Sequence, residues 1–135
     1  DKDLFYGSTH EMPLFPGTGA KNETGVGNIF NAPLSSGDGG EKFAEAMKER
    51  ILPTLKNFSP DILLISAGFD AHTSDPLANI HLNEKDFSWI SAELMDIADK
   101  QCEGRVVSIL EGGYHLEGLA KSVGVHMQHL MNAAK

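Results

Sequence analysis

Two short apolar runs, separated by a helix-like segment, most constrain the fold of this chain. The first run, Ile62 to Ile65, leads through Ser-Ala-Gly-Phe into Asp70. The second run, Val106–Leu110, leads through Glu-Gly-Gly into Tyr114. Short apolar strands that alternate with helices are typical of a parallel sheet with both faces covered. We therefore expect an α/β fold with an acid and a phenol at the carboxyl edge of the sheet, where such sheets place their active sites.

Periodicity and turn residues place the other elements. Strands are predicted at Leu4–Ser8 and Asn28–Pro33, with a long loop rich in glycine and proline between them. Pro53 is predicted to bend or divide the first helix, and Asn83 to cap the second. Helical spacing of apolar residues defines three helices, through Phe43, Met47, Ile51 and Leu55, then Phe87, Ile90, Leu94 and Ile97, then Leu116, Leu119, Val123, Met127 and Leu130.

The composition allows one hydrophobic core. With 135 residues, 41% of them apolar, the chain is long enough for one core and too short for two. We expect residues 1–135 to form a single unit and, since a strand-like run begins at Leu4 without a leading methionine, to belong to a larger domain. The net charge of −8, from 11 basic and 19 acidic residues, argues against direct binding to nucleic acid. Such binding depends on lysine and arginine that neutralise phosphates.

No membrane segment, secretion signal or disulfide is predicted. No apolar stretch approaches the roughly 20 residues of a membrane span, and the first residues lack the basic and apolar regions of a signal peptide. Cys102 is the only cysteine, and it is expected to be a small buried apolar residue in a reducing compartment. We expect a cytoplasmic location, while a nuclear one stays open.

Asp70 is the first candidate for chemistry. A carboxylate is a hard oxygen donor suited to zinc, magnesium or manganese, but at this position it could also only cap the following turn. His72 forms an Asp-x-His pair with Asp70. Because a catalytic zinc site normally needs three protein ligands, we expect His72 to support the site or lie at the surface. Asp75, which precedes a proline, is expected to form a turn.

Tyr114 is the second candidate. Its hydroxyl could donate a hydrogen bond to an oxyanion that develops on a carbonyl beside a metal, although a tyrosine after two glycines can also serve packing. Glu111 could be an acid of the site or a buried, hydrogen-bonded structural group. His126 and His129 share a helix face and are expected at the surface, and the other histidines show no spacing typical of a ligand set.

The loop around Phe15 does not match a nucleotide-binding motif. Gly17 and Gly19 are followed neither by a third glycine in register nor by a Gly-Lys-Ser/Thr run. An aromatic residue held by proline and glycines is better suited to line a narrow channel.

Three motifs occur in the order found in the histone deacetylase family. They are Ser8 to Ala20, Ser66 to His72 with Asp75-Pro76-Leu77, and Leu110 to Tyr114. The chain resembles the carboxyl-terminal half of that zinc amidohydrolase domain along nearly its whole length. It is most similar to class II enzymes and to bacterial acetylpolyamine and acetoin-utilisation proteins. The resemblance implies a three-layer α/β/α domain of the arginase and deacetylase kind with a mainly parallel sheet, of which residues 1–135 form the carboxyl-terminal part.

The resemblance also implies roles for five residues. Asp70 matches the aspartate that completes the zinc site. Tyr114 matches the tyrosine that stabilises the tetrahedral intermediate when water attacks the acetyl carbonyl. Phe15 matches an aromatic wall of the acyl-lysine channel, with Leu14 beside it, and Gly113 lies where the backbone of the family approaches the substrate.

Other positions extend or limit the resemblance. Ser8 and Thr9 match the stretch that holds a structural monovalent cation, usually potassium, and His72 occupies a position that the family does not use as a ligand. The family takes two more zinc ligands from an Asp-x-His motif and its general base from a tandem histidine pair, both upstream of the matched segment. The sequence contains no His-His pair, and its only Asp-x-His is at Asp70. We therefore expect a zinc-dependent deacetylase in the complete domain and an inactive chain in isolation.

Two alternatives stay open. The chain could be a non-catalytic binding or assembly module that retains the deacetylase fold. It could also form a homodimer that covers exposed sheet edges. The expected partners of the complete domain are an acetylated amine and the missing amino-terminal half, and the sequence does not distinguish an acetyl-lysine from an acetylpolyamine substrate.

Overall fold

The computed structural model describes residues 1–133, which form four strands and four α-helices around one core. In chain order the elements are β1 (Tyr6–Glu11), β2 (Ile29–Leu34), α1 (Gly40–Ala46), a π-helical turn (Met47–Ile51), α2 (Leu52–Phe58), β3 (Leu63–Ala67), α3 (Glu84–Gln101), β4 (Val106–Leu110) and α4 (Leu116–Ala133).

The strands form two parallel pairs. β1 pairs with β2 from Tyr6↔Ile29 onward, and β3 pairs with β4 from Leu63↔Val106 onward. Within the described residues these pairs are separate two-stranded sheets. The prediction of parallel strands is confirmed. β1 begins two residues later than the predicted Leu4 because the ladder with β2 starts at Tyr6.

The first helical region confirms the four-residue spacing and the effect of Pro53. Phe43, Met47, Ile51 and Leu55 are all buried. Proline lacks an N–H and its ring opposes the carbonyl four residues earlier. The helix accordingly widens into a π-helical turn and restarts as α2 at Leu52, with proline in its first turn.

Asn83 caps α3 as predicted. Its side-chain oxygen accepts the Lys85 N–H at 2.9 Å, and the Asp86 carboxylate accepts the Asn83 N–H at 2.9 Å. This reciprocal pair satisfies two amides that would otherwise lack partners in the first turn. The helix that connects β3 to β4 therefore begins at a defined residue.

The sheet formed by β3 and β4 is covered on one face only. Leu63 and Ala67 belong to the one buried hydrophobic cluster among residues 1–133. On the opposite face, Leu64, Ile109 and Val107 are 64%, 54% and 44% exposed. Within residues 1–133 only the face that carries Leu63 and Ala67 is covered, whereas the sequence predicted a sheet with both faces covered.

Candidate active site

The chain segments that follow β3 and β4 stay side by side beyond the sheet. The last pair of the ladder joins Ala67 to Leu110. Beyond it, the Phe69 N–H donates to the Gly112 carbonyl at 2.8 Å. The two motifs predicted to meet at the carboxyl edge therefore do meet, and the contact begins directly before Asp70.

Glycines make room for the Asp70 carboxylate. A Cβ at Gly112 would lie 2.8 Å from both Cγ and Oδ2 of Asp70, and one at Gly68 would lie 3.1 Å from Oδ1. Gly113 has φ +140°, and a Cβ there would lie 2.7 Å from Leu119 Cδ1. A side chain at Gly112 would displace the carboxylate, and one at Gly113 would strain the backbone.

Asp70 does not cap the turn that follows it. In residues 1–133 the hydrogen bonds of that turn use the Phe69 carbonyl and the side chains of His72 and Asp75, and none uses the Asp70 carboxylate. The carboxylate is half-buried and remains available as an oxygen donor. It fits one position of a zinc site, while no group of three ligating side chains occurs among the described residues.

Asp75 contacts the Tyr114 backbone, which the sequence did not predict. One carboxylate oxygen accepts the Leu77 N–H at 2.9 Å, which confirms the predicted turn. The other accepts the Tyr114 N–H at 2.8 Å. Asp75 is buried, whereas Tyr114 is 58% exposed. The structure thus fixes the tyrosine backbone and leaves its side chain accessible.

His72 lies in the interior rather than at the surface. Its Nδ1 accepts the Ser74 N–H at 3.1 Å, and its Nε2 is 3.5 Å from the Glu84 carboxylate. The pKa of Glu84 lies below its usual value, first because its carboxylate accepts its own backbone N–H and then because His72 is near. A Cβ at Gly118 would lie 2.8 Å from His72 Nδ1. His72 therefore supports the turn after Asp70. Of the two predicted roles, support of the site and a surface position, the surface position is wrong.

Glu111 is hydrogen-bonded but not buried. It accepts a 2.7 Å hydrogen bond from the Ser66 hydroxyl, and both residues are exposed. The pair lies at the carboxyl end of the exposed face of β3 and β4. The exposure of Glu111 contradicts the buried structural alternative, while its role as an acid of the site stays a prediction.

The loop with Leu14 and Phe15 lies at the surface. The Leu14 carbonyl accepts the Gly17 N–H at 2.8 Å, which closes a tight turn. Phe15 is 99% exposed at this turn. The role of Leu14, Phe15 and Gly113 in binding a substrate stays a prediction.

Ser8 and Thr9 lie in the middle of β1 and are half-buried. The Ser8 hydroxyl is 3.0 Å from His10 Nδ1, and His10 Nε2 is 2.9 Å from the Gly19 carbonyl. Because a carbonyl only accepts, His10 Nε2 carries a proton and donates it to the Gly19 carbonyl. The monovalent cation site at Ser8 and Thr9 stays a prediction.

His126 is buried, which contradicts the expected surface position. The Ser91 hydroxyl donates to the Phe87 carbonyl at 2.6 Å, so its oxygen accepts His126 Nδ1–H at 2.7 Å. His126 Nε2 then accepts the Ser108 O–H at 2.8 Å. Burial lowers the pKa of His126, and the neighbouring His129 lowers it further. This neutral imidazole joins α3, α4 and β4 directly behind the candidate site.

Comparison with known proteins identifies the family. The model of the histone deacetylase domain matches residues 1–130. The chain belongs to the histone deacetylase family. It is 42% identical over 127 residues to the protein named Histone deacetylase 10, chloroplastic, of Oryza sativa subsp. japonica. This match covers 91% of the chain and 29% of that protein. It is 40% identical over 122 residues to a probable deacetylase of Archaeoglobus fulgidus, with 87% of the chain and 34% of that protein covered.

Solved structures confirm the fold class. The HDA15 HD domain superposes with a TM-score of 0.86 at 34% identity, covering 95% of this chain and 37% of that one. The acetylpolyamine aminohydrolase of Burkholderia pseudomallei gives a TM-score of 0.84 at 27% identity, with 96% and 38% covered. The predicted α/β fold of the deacetylase kind is thus confirmed, and the chain spans about a third of the length of these relatives.

The comparisons leave the cellular compartment a prediction, since the name of the rice relative places that protein in the chloroplast. None of the helices within residues 1–133 is both long and apolar enough to span a bilayer.

Proposed function

We propose that these residues form part of a zinc-dependent deacetylase that hydrolyses an acetylamide of the acetyl-lysine or acetylpolyamine type. The proposal rests on one observation: the Asp70 carboxylate packs against Gly112. Gly112 precedes Tyr114 by two residues. A metal-ligand candidate and a phenolic donor thus extend from one pair of strand ends. Membership in the deacetylase family and the names of the relatives support this reaction class.

Each residue has one task in this proposal. Asp70 supplies one carboxylate ligand to zinc, which when bound polarises the acetyl carbonyl and lowers the pKa of a water molecule. The Tyr114 hydroxyl donates a hydrogen bond to the oxygen of the acetyl carbonyl as negative charge develops on it. Leu14 and Phe15 line the path of the acylated side chain, and the Gly113 backbone approaches it.

The remaining zinc ligands and the general base come from outside these 135 residues, since the sequence has no His-His pair and no second Asp-x-His motif. The exposed apolar face of β3 and β4 supports the same conclusion, because parallel sheets are normally covered on both faces. We propose that the amino-terminal half of the domain covers this face, that the isolated chain is inactive, and that Ser8 and Thr9 bind potassium. Alternatively, a second copy of the chain covers the exposed sheet in a homodimer, which size-exclusion chromatography would detect.

The test uses the complete protein that contains these residues, with zinc analysis and release of acetate from an acetyl-lysine peptide and from an acetylpolyamine. Tyr114→Phe should lower kcat by about 10²- to 10³-fold, the usual effect of losing one oxyanion donor, while zinc content is unchanged. Tyr6→Phe is the matched control, since Tyr6 is the other tyrosine and is also exposed, at 55%. It should leave kcat unchanged.

Asp70→Asn should lower both zinc content and activity, because a neutral amide is a poorer ligand than a carboxylate. Asp99→Asn, at an exposed position of α3, is its control. Full activity of Tyr114→Phe or Asp70→Asn would refute the assignment. A complete protein that binds no zinc and releases no acetate would favour the binding or assembly module instead.

A further inference from the structure

Asp75 connects the two parts of the candidate site. Its side chain is buried, at 8% exposed, and a buried carboxylate is stable only when its oxygens are hydrogen-bonded. One oxygen accepts the Leu77 N–H at 2.9 Å and the other the Tyr114 N–H at 2.8 Å. Asp75 therefore joins its own turn to a loop that is 39 residues away in the sequence.

The turn between Asp70 and Asp75 is compact. The His72 N–H donates to the Phe69 carbonyl at 3.2 Å, and the Asp75 N–H donates to the His72 carbonyl at 2.8 Å. These bonds turn the chain back on itself after the strand end. One short turn thus carries the candidate metal ligand at its beginning and the contact to Tyr114 at its end.

Tyr114 needs such a contact because two glycines precede it. Glycine adopts a wider range of backbone angles than other residues, and Gly113 has φ +140°. The Gly112 carbonyl is fixed by the Phe69 N–H at 2.8 Å. The bond from the Tyr114 N–H to Asp75 fixes the backbone on the other side of Gly113.

We infer that Asp75 is a positioning residue for the deacetylase reaction: its carboxylate holds the Tyr114 backbone at a fixed place relative to Asp70. This inference rests on the proposed function. Groups that support a site in this way keep its reacting atoms within the narrow tolerance that catalysis needs. Asp75 would act only through Tyr114, without contact to the substrate.

Hydrogen exchange of the Tyr114 amide in the complete protein tests the contact directly. Loss of a hydrogen bond to a charged group should speed exchange about tenfold to a hundredfold. Asp75→Asn retains one acceptor oxygen and Asp75→Ala retains none, so exchange should rise in that order. Asp86→Asn is the matched control, since Asp86 also accepts a backbone N–H, that of Asn83. An unchanged Tyr114 amide in both Asp75 variants would overturn the inference.

Activity of the complete, zinc-loaded protein tests the consequence. Asp75→Asn should lower kcat about 10- to 100-fold, as outer contacts of metal sites typically do, with KM and zinc content unchanged. Asp75→Glu, which keeps the charge, should recover part of the loss, and Asp86→Asn should leave kcat unchanged. A wild-type protein without zinc-dependent activity would refute the proposed function. The exchange data would then test only whether Asp75 holds the Tyr114 backbone. An active wild type with unchanged kcat in Asp75→Asn would refute only the inference.

Discussion

Replacement of His126 by leucine tests how the interior behind the site is stabilised. His126 Nδ1 is 2.7 Å from the Ser91 hydroxyl and Nε2 is 2.8 Å from the Ser108 hydroxyl. The Phe69 ring packs against the imidazole at 5.8 Å between centroids. Leucine retains apolar volume at this position and removes both hydrogen bonds, so the variant isolates the polar contribution.

The expected loss of stability follows from these contacts. Each hydrogen bond contributes about 1 kcal/mol, and a part-buried hydroxyl left without its acceptor costs about 1–3 kcal/mol. Ser91 can still donate to the Phe87 carbonyl, so the Ser108 hydroxyl bears this cost. We expect His126→Leu to lower the free energy of unfolding by about 2–4 kcal/mol, a large part of the roughly 5–15 kcal/mol typical of a domain.

Urea denaturation followed by Trp89 fluorescence measures this loss, because Trp89 is the only tryptophan and packs on Phe43 at the α3 surface. His129→Leu is the control. His129 has one such contact, to the Ser88 hydroxyl at 2.8 Å, and should cost about 1 kcal/mol. Equal urea midpoints for the two variants at an equal m value would refute the reasoning.

The same residue predicts a pH dependence. Burial lowers the pKa of His126 below its usual 6.5, so in the pH range between the two pKa values the unfolded chain binds the proton and the folded chain does not. The contribution of His126 is therefore fully present above pH 6.5 and decreases as the pH falls towards the folded pKa. Wild type should lose stability over this range, and His126→Leu should lose less. Parallel curves would contradict the assignment of a buried neutral imidazole.

Two glycine replacements should differ in their effects: one should weaken zinc binding, and the other should stabilise the fold. Gly112→Ala would place a Cβ 2.8 Å from the Asp70 carboxylate, so zinc affinity of the complete protein, measured by chelator competition, should fall about 10- to 100-fold. Unchanged affinity would show that Asp70 is not the ligand or that it moves freely. Gly124→Ala meets no atom within 4 Å in α4 and should raise the free energy of unfolding by about 0.5–1 kcal/mol in urea. A destabilised Gly124→Ala would contradict the open environment of that position.

Features that depend on nearby residues could be predicted from the sequence. The limits of β4, the cap at Asn83 and the division of the helix at Pro53 agree with the structure. Each depends on residues within a few positions, where a cap, a missing N–H or an apolar run has a direct effect. The meeting of the Asp70 and Tyr114 segments was also predictable, because parallel strands end at one edge.

Contacts between distant segments could not be predicted in this way. From its position in the helix, His126 was expected at the surface. It is buried because the hydroxyls of Ser91 in α3 and Ser108 in β4 hydrogen-bond both of its ring nitrogens. The turn at Asp75 was predictable, whereas its bond to Tyr114 requires the fold that brings the two loops together. A single sequence contains no local signal for either contact.

The exposed sheet face and the presence of only one candidate zinc ligand among the described residues have a common physical explanation. Full burial of a side chain such as Leu64 or Ile109 contributes about 1.5–3 kcal/mol, and the described residues leave both more than half exposed. These side chains lie on β3 and β4, whose chains continue beyond the sheet to Asp70 and Tyr114. In the proposed domain, a polypeptide segment that covers them would reach the edge where the further zinc ligands are expected. In the proposed domain, covering the sheet and completing the zinc site are thus thermodynamically coupled, and the contacts of Asp75 and Gly112 organise the part of the site that these residues contribute.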